Sequence, residues 1–371
     1  MNSCFADRPR SPRSLGAAAV VVAATVSCAV ALAPSVASAQ AGEAAWRDAM
    51  AAVDAMERSD YDAAAARIVT VEEDGRDAPA ARFARGVWLL HQGDYAAAAS
   101  ELEIASQATG QAPIVEQHRA IAAGTADVVR DFATHRTRDG LFEIRYDAAR
   151  DAVLIPWAEE TLEAAYYEIG YDVGSWPTPP IRVEIYPHAR TLAVVSPLTV
   201  EAIEGSGTIA LCKYNKLMLT SPRATLQGYE WRTTLAHEYV HYAVAHLVRA
   251  NVPIWMHEAL AKFLEHRWTG TRTPARDPMR DALLSERVAA DRLITFAQMH
   301  PSMAYLPTPE DAATAYAQVF TVMEYLVQRR GPGVVRDVLA RVGGGDDVVT
   351  SITGAIGEPF DVFEANWQRY L

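Results

Sequence analysis

Thr233-Thr234-Leu235-Ala236-His237-Glu238-Tyr239-Val240-His241-Tyr242 contains the pattern H-E-x-x-H. On an α-helix, residues four apart stand one above the other on one face. His237 and His241 can therefore turn imidazole nitrogens toward one metal ion, and Glu238, beside the first ligand, can reach a water on that metal. The surroundings predict the helix: Ala236, Val240, Ala243 and Leu247 recur at 4-3-4 spacing, and no Gly or Pro falls between Trp231 and Asn251. Asn251-Val252-Pro253 is the expected stop, since Asn tolerates a left-handed cap and Pro lacks the donor needed to continue. A chance match on a core helix is the plain alternative, but it leaves two buried imidazoles to be satisfied.

A second helix is predicted over Ile254-Trp255-Met256-His257-Glu258-Ala259-Leu260-Ala261-Lys262-Phe263-Leu264-Glu265. Catalytic zinc takes three protein ligands and keeps one position open. Glu258 is the expected third ligand, close enough in sequence for two antiparallel helices to converge on one ion. His257, Glu265 and His266 compete for that role. Otherwise Glu265 reads as a solvated acid, with orientation of a ligand histidine as the alternative.

H-E-x-x-H followed by a W-x-x-E-x-x-A helix resembles the gluzincin metallopeptidases and, within them, the bacterial peptidase MA-like domains. Aminopeptidase relatives carry a similar W-L-N-E-G-F-A helix. Residue by residue, the resemblance implies zinc as cofactor, His237, His241 and Glu258 as its ligands and Glu238 as general base. Two positions depart from the pattern: Ala259 stands where the family usually has Gly, and the sixteen residues between His241 and Glu258 are fewer than in the best-known relatives. Further on, Ala315-Tyr316-Ala317-Gln318-Val319 resembles a family helix carrying A-Y-A-Q-S, with Val319 in place of Ser, and Asp361–Leu371 resembles the family's terminal helix. Tyr316 is nominated as oxyanion donor by its likeness to the tyrosine of gluzincin aminopeptidases. A tyrosine packed between helices is the alternative.

Arg8, Arg10 and Arg13 precede an apolar run from Leu15 to Ala33, and Ala37-Ser38-Ala39 supplies an A-x-A cleavage pattern. Residues 1–39 therefore read as a secretory signal peptide, which predicts an exported protein, periplasmic or extracellular. An uncleaved segment would instead tie the chain to the membrane. Cleavage removes three Arg and one Asp from 34 basic and 46 acidic residues, leaving 31 and 45, a net charge of −14. Such acidity argues against nucleic acid or an anionic membrane as partner. Cys212 alone survives processing, so no intramolecular disulfide is expected.

Residues 43–132 read as helical. Asp60-Tyr61 and Asp94-Tyr95 stand 34 residues apart, and Ala52 aligns with Gly86 at the same offset. The second copy resembles a tetratricopeptide repeat, in which small residues let paired helices approach and the aromatic fills the gap between them. A helix over Ile114–Phe132 is expected to cap the array and dock it on the catalytic part. A plain helical spacer is the alternative.

From Leu141 the texture changes. Phe142–Tyr146 and Ile181–Tyr186 alternate as strands do, a helix is expected over 151–169, and Thr208–Lys213 with Lys216–Thr220 predict a hairpin turning at Tyr214-Asn215. This strand set resembles the N-terminal sheet of a zincin, whose edge strand can hold an extended peptide. Cys212 reads as a packed strand residue, with no base signalled beside it. The whole implies an α+β fold: a zincin-like catalytic domain over 139–371, with a mixed sheet, the H-E-x-x-H helix and a helical C-terminal part, preceded by α-helical repeats.

The expected function is that of an exported zinc peptidase acting on a peptide or protein substrate. Zinc lowers the pKa of its bound water and polarises the substrate carbonyl, and Glu238 takes the water's proton and returns it to the leaving amine. The alternative is a non-catalytic scaffold with zinc, whose repeats recruit a protein partner. Glu238 separates the two, because a structural site closed by four ligands has no use for it.

Overall fold

In the computed structural model five helices open the described chain: α1 (Val36–Glu57), α2 (Tyr61–Glu73), α3 (Pro79–Gln92), α4 (Tyr95–Ala108) and α5 (Pro113–Val129). The structure describes residues 36–371 except 74, 251, 273–276, 300–302, 304 and 305. The arginines and apolar run of the signal reading therefore lie outside the described residues. Helix starts follow local chemistry: Pro79 and Pro113 occupy first helical positions, where a missing N–H costs nothing, and Asp94 caps α4 by accepting from the Ala97 amide. Small residues set the spacing. A Cβ on Gly86 would lie 2.5 Å from Leu102 Cγ, so only glycine permits the approach of α3 to α4. Alanines, with Phe83, Leu90 and Leu102, fill the core of this layer.

Helix α5 ends at Val129 rather than Phe132, and Ala133–Arg136 forms a strand, β1, that the sequence reading lacks. Ala-Thr-His-Arg has no apolar alternation to reveal it, and its pairing with the next strand is a tertiary choice. The sheet runs β1, β2 (Phe142–Tyr146), β3 (Ile181–Tyr186), β5 (Lys216–Thr220), β4 (Ala210–Lys213). β2, β3 and β5 are parallel, and the two edges, β1 and β4, run antiparallel to their neighbours.

On one face, Phe142, Ile144, Val183, Ile185, Leu217 and Leu219 pack into the main core with α7 (Ile155–Val173) and α10 (Trp231–Val248). On the other, Arg182, Glu184, Tyr186 and Lys216 turn toward the N-terminal helices. Every residue of β3 is buried. An alternating strand normally keeps its polar face in water; here the N-terminal helices cover it.

Around the sheet, α6 (Ala148–Asp151) and a 3₁₀ turn precede α7, so the helix expected over 151–169 begins at Ile155, with Pro156 in its first turn. Short α8 (Thr191–Val195) and α9 (Val200–Ser206) lead into β4. After α10 come α11 (Ile254–Leu264), α12 (Pro278–Ala289), α13 (Pro309–Arg330), α14 (Val334–Gly343), α15 (Val348–Ile356) and α16 (Phe360–Tyr370). Helix α10 stops at Val248, with Arg249 in the left-handed conformation at φ 48°. The cap therefore falls two residues before Asn251, which lies outside the described residues. Pro253 then starts α11, with the Met256 and His257 amides bonding back to its carbonyl.

Candidate metal centre

Helix α10 is amphipathic in an unusual sense. Leu235, Ala236, Tyr239, Val240, Ala243 and Val244 are all buried in the core, and the strip carrying His237 and His241 faces α11 instead. The two rings lie edge-to-face, 4.7 Å between centroids, with Nε2 atoms 3.1 Å apart. From α11, Glu258 places Oε2 at 3.3 Å from His237 Nε2 and Oε1 at 3.6 Å from His241 Nε2. One ligand atom from each of the three residues falls within 4.8 Å of the others.

These separations suit one metal ion. Donors about 2.0–2.2 Å from a tetrahedral zinc stand about 3.3–3.6 Å apart; the two Nε2 atoms are 3.1 Å apart, and each has one of the two Glu258 oxygens near it, Oε2 at 3.3 Å from His237 and Oε1 at 3.6 Å from His241. Glu258 Oε2 is buried and near enough for charge attraction, yet it makes no aligned hydrogen bond. A buried carboxylate oxygen without a donor normally demands explanation, and a metal between it and the two imidazoles supplies one. His237 Nδ1 donates to Glu265 Oε2 at 2.9 Å, which frees Nε2 to act as a ligand.

Glu265 is therefore not the solvated acid read from the sequence. It is 9% exposed, backs the first histidine and is itself held by Lys262 Nζ at 3.1 Å. The signal was present as an acid two turns beyond Glu258. What it lacked was the packing of α10 against the end of α11, which brings His237 to Glu265 at the helix cap. The other rivals also sit apart from the ligand atoms. The His257 ring lies 5.7 Å from that of His241, and His266 Nε2 lies 3.7 Å from Glu265 Oε1.

Charge follows this arrangement. Burial would push Glu258 up, but His241 and His237 pull it down to about 2. Burial likewise opposes a charge on His237, yet Glu258 and Glu265 raise it to about 10, while burial drives His241 down to about 3. Nitrogens 3.1 Å apart cannot both carry protons between them, so at most one of the two Nε2 atoms is protonated. Glu238 is raised to about 7, chiefly by burial, with His237 opposing.

Tyr316 sits on α13, which packs along α11. Its hydroxyl is pushed up by burial first and then by the charges of Glu258 and Glu238. Among the described residues no hydrogen bond engages that hydroxyl. Val319, where the resemblance has Ser, is fully buried in the core, as is Ala259. Cys212 lies on β4, partly buried against the main core, and burial pushes its thiol far up, as for a packed strand residue.

The sequence model of the Peptidase MA superfamily matches residues 161–371. The chain belongs to this superfamily. The matched span begins within α7 and contains α10, α11 and α13, so it includes all of the candidate metal ligands, Glu238 and Tyr316, and it supports peptidase activity. None of the curated proteins matches the chain.

Proposed function

We propose that the protein is an exported, zinc-dependent peptidase of gluzincin type, with His237, His241 and Glu258 holding the metal and Glu238 acting as general base. The observation that carries this reading is the convergence of three ligand atoms from His237, His241 and Glu258, the last with a buried carboxylate oxygen that has no donor, together with a second buried acid, Glu238, next to His237 in the chain and outside the ligand set. When bound, zinc supplies a Lewis acid that polarises the scissile carbonyl and makes water a nucleophile near neutral pH. Glu265 fixes the tautomer of His237. Glu238 accepts the proton of the attacking water and passes it to the leaving amine. Tyr316 donates its hydroxyl to the oxygen that gains charge during attack.

The free edge of the sheet supports a mode of substrate binding. The Thr220 amide bonds to the Ile209 carbonyl, so the alternation of an antiparallel ladder turns the peptide groups of Ala210 and Cys212 outward. An extended peptide can pair with those groups while its scissile bond lies near Glu238. Export is supported by the arginine-led apolar run and the A-x-A pattern. Among the described residues no helix is long and apolar enough to cross a membrane.

The test is metal analysis of the purified protein together with an unbiased peptide-library digest. About one zinc per chain and chelator-sensitive cleavage are expected. A metal-free protein, or cleavage that survives removal of the metal, would contradict the proposal. N-terminal sequencing checks export, with Gln40 at or near the mature terminus expected and an intact Met1 against it.

A further inference from the structure

The β4–β5 turn touches three parts of the molecule at once. Tyr214 and Asn215 are both left-handed, at φ 54° and 56°. A two-residue hairpin turn needs that at both positions and usually meets it with Asn-Gly, so a tyrosine there calls for a reason. Tyr214 is buried in the core of the N-terminal helices, edge-on to His91 of α3 at 5.4 Å. Asn215 turns the other way. Its Oδ1 accepts from the Tyr242 hydroxyl at 2.9 Å and lies 3.1 Å from His246 Nε2, both on the metal helix α10 beyond His241.

Tyr61, the first residue of α2, closes the circuit. Its ring stacks on His246, with 5.8 Å between centroids, and its hydroxyl bonds to His91 Nδ1 at 2.9 Å. The two Asp-Tyr corners that mark the 34-residue period thus both face the sheet and α10: Tyr61 reaches His246, and Tyr95 reaches Glu184. Both are engaged within the chain.

We propose that Asn215 is a positioning residue through which the N-terminal helices and the metal helix together fix strand β4, and so set how an extended peptide is held. This rests on the reading of β4 as the strand that receives the substrate. The helices then act on substrate alignment, while the metal ligands and Glu238 act on the reacting atoms.

Asn215→Gly is a clean test in the full chain, because glycine keeps the left-handed turn and removes only the amide. Asn215→Asp keeps both the turn and an acceptor toward Tyr242 and His246. With a peptide taken from the library digest, Asn215→Gly should raise KM about tenfold while kcat stays within about twofold, and Asn215→Asp should restore KM. In parallel, amide hydrogen exchange at Leu211 and Lys213, the β4 amides that face β5, should quicken about tenfold or more in Asn215→Gly, with α7 unchanged and zinc content intact. Unchanged exchange in β4 would overturn the proposal, as would a fall in kcat together with loss of zinc, because the turn would then act on the metal helix itself. A wild-type protein that cleaves no peptide would refute the peptidase reading, and the exchange comparison would still decide the role of the turn.

Discussion

Glu184 and Lys216 are buried between the sheet and the N-terminal helices, as His237, His241 and Glu258 are buried between α10 and α11, yet the two clusters are finished differently. Around Glu184 the groups answer one another: Lys216 Nζ lies 2.6 Å from its Oε2, and the hydroxyls of Tyr95 and Tyr186 both donate to it. Burial alone would raise Glu184, but Lys216 and the two hydroxyls hold it below its ordinary range. Around Glu258 one carboxylate oxygen has no donor, and the two imidazole nitrogens face each other. A closed network of buried charge secures a joint between layers, whereas an open one of the same size leaves a place for an ion. The difference lies in what completes each set: the chain itself in the first and, on the proposed function, a metal in the second.

The largest effect should come from the open cluster. His237→Ala, His241→Ala and Glu258→Ala should each weaken zinc binding by about a thousandfold or more, since a catalytic site has only three protein ligands to lose. Zinc content after dialysis reads this directly. Full retention by Glu258→Ala, with loss in His257→Ala or Glu265→Ala, would move the third ligand elsewhere.

The closed cluster should respond in stability and not in metal. Lys216→Met removes the closest charge partner of Glu184 and leaves it with the two hydroxyls and Arg145 at 3.8 Å, which should cost about 3 kcal/mol at pH 7. As pH falls, Glu184 without Lys216 takes up a proton in the folded state more readily than in wild type, so the deficit relative to wild type should shrink between pH 7 and pH 5. Urea unfolding at the two pH values measures both. A variant that unfolds normally but loses zinc would erase the distinction between the clusters.

Glu265 stands at the boundary between them, since it is paired with Lys262 and also backs a ligand. Glu265→Gln should lower zinc affinity about 10–100-fold, less than loss of a ligand, because it removes only the charge behind His237. Competition with a chromogenic chelator gives the number. An unchanged affinity would return Glu265 to a purely structural role.

Much of this is legible in the sequence, for reasons that differ by region. His237, Glu238 and His241 announce themselves because helical geometry converts a fixed spacing into a shared face. Glu258 follows from the short link to a second helix. The Tyr214-Asn215 turn is also readable, since two strand-like runs flank it. What local pattern does not carry is which face a partner layer will cover. The alternation of Ile181–Tyr186 reads the same whether Arg182 and Glu184 meet water or the N-terminal helices. Tyr95 in a repeat motif gives no hint that its hydroxyl crosses to Glu184. β1 escapes a reading of the sequence for the same reason, since its pairing depends on contacts made only after the chain has folded, and only such contacts decide between the two sequence readings of Glu265, solvated acid or support for a histidine.

The claim that the open cluster is catalytic, and not merely a metal-filled joint, rests on Glu238. Glu238→Gln changes one atom, keeps the size of the side chain and touches none of the three ligands. The decisive measurement is zinc content and peptide hydrolysis on the same preparations of wild type and Glu238→Gln. About one zinc per chain in both, with hydrolysis lowered at least about a hundredfold in the variant, is the expected result. Wild-type turnover by zinc-loaded Glu238→Gln would contradict it.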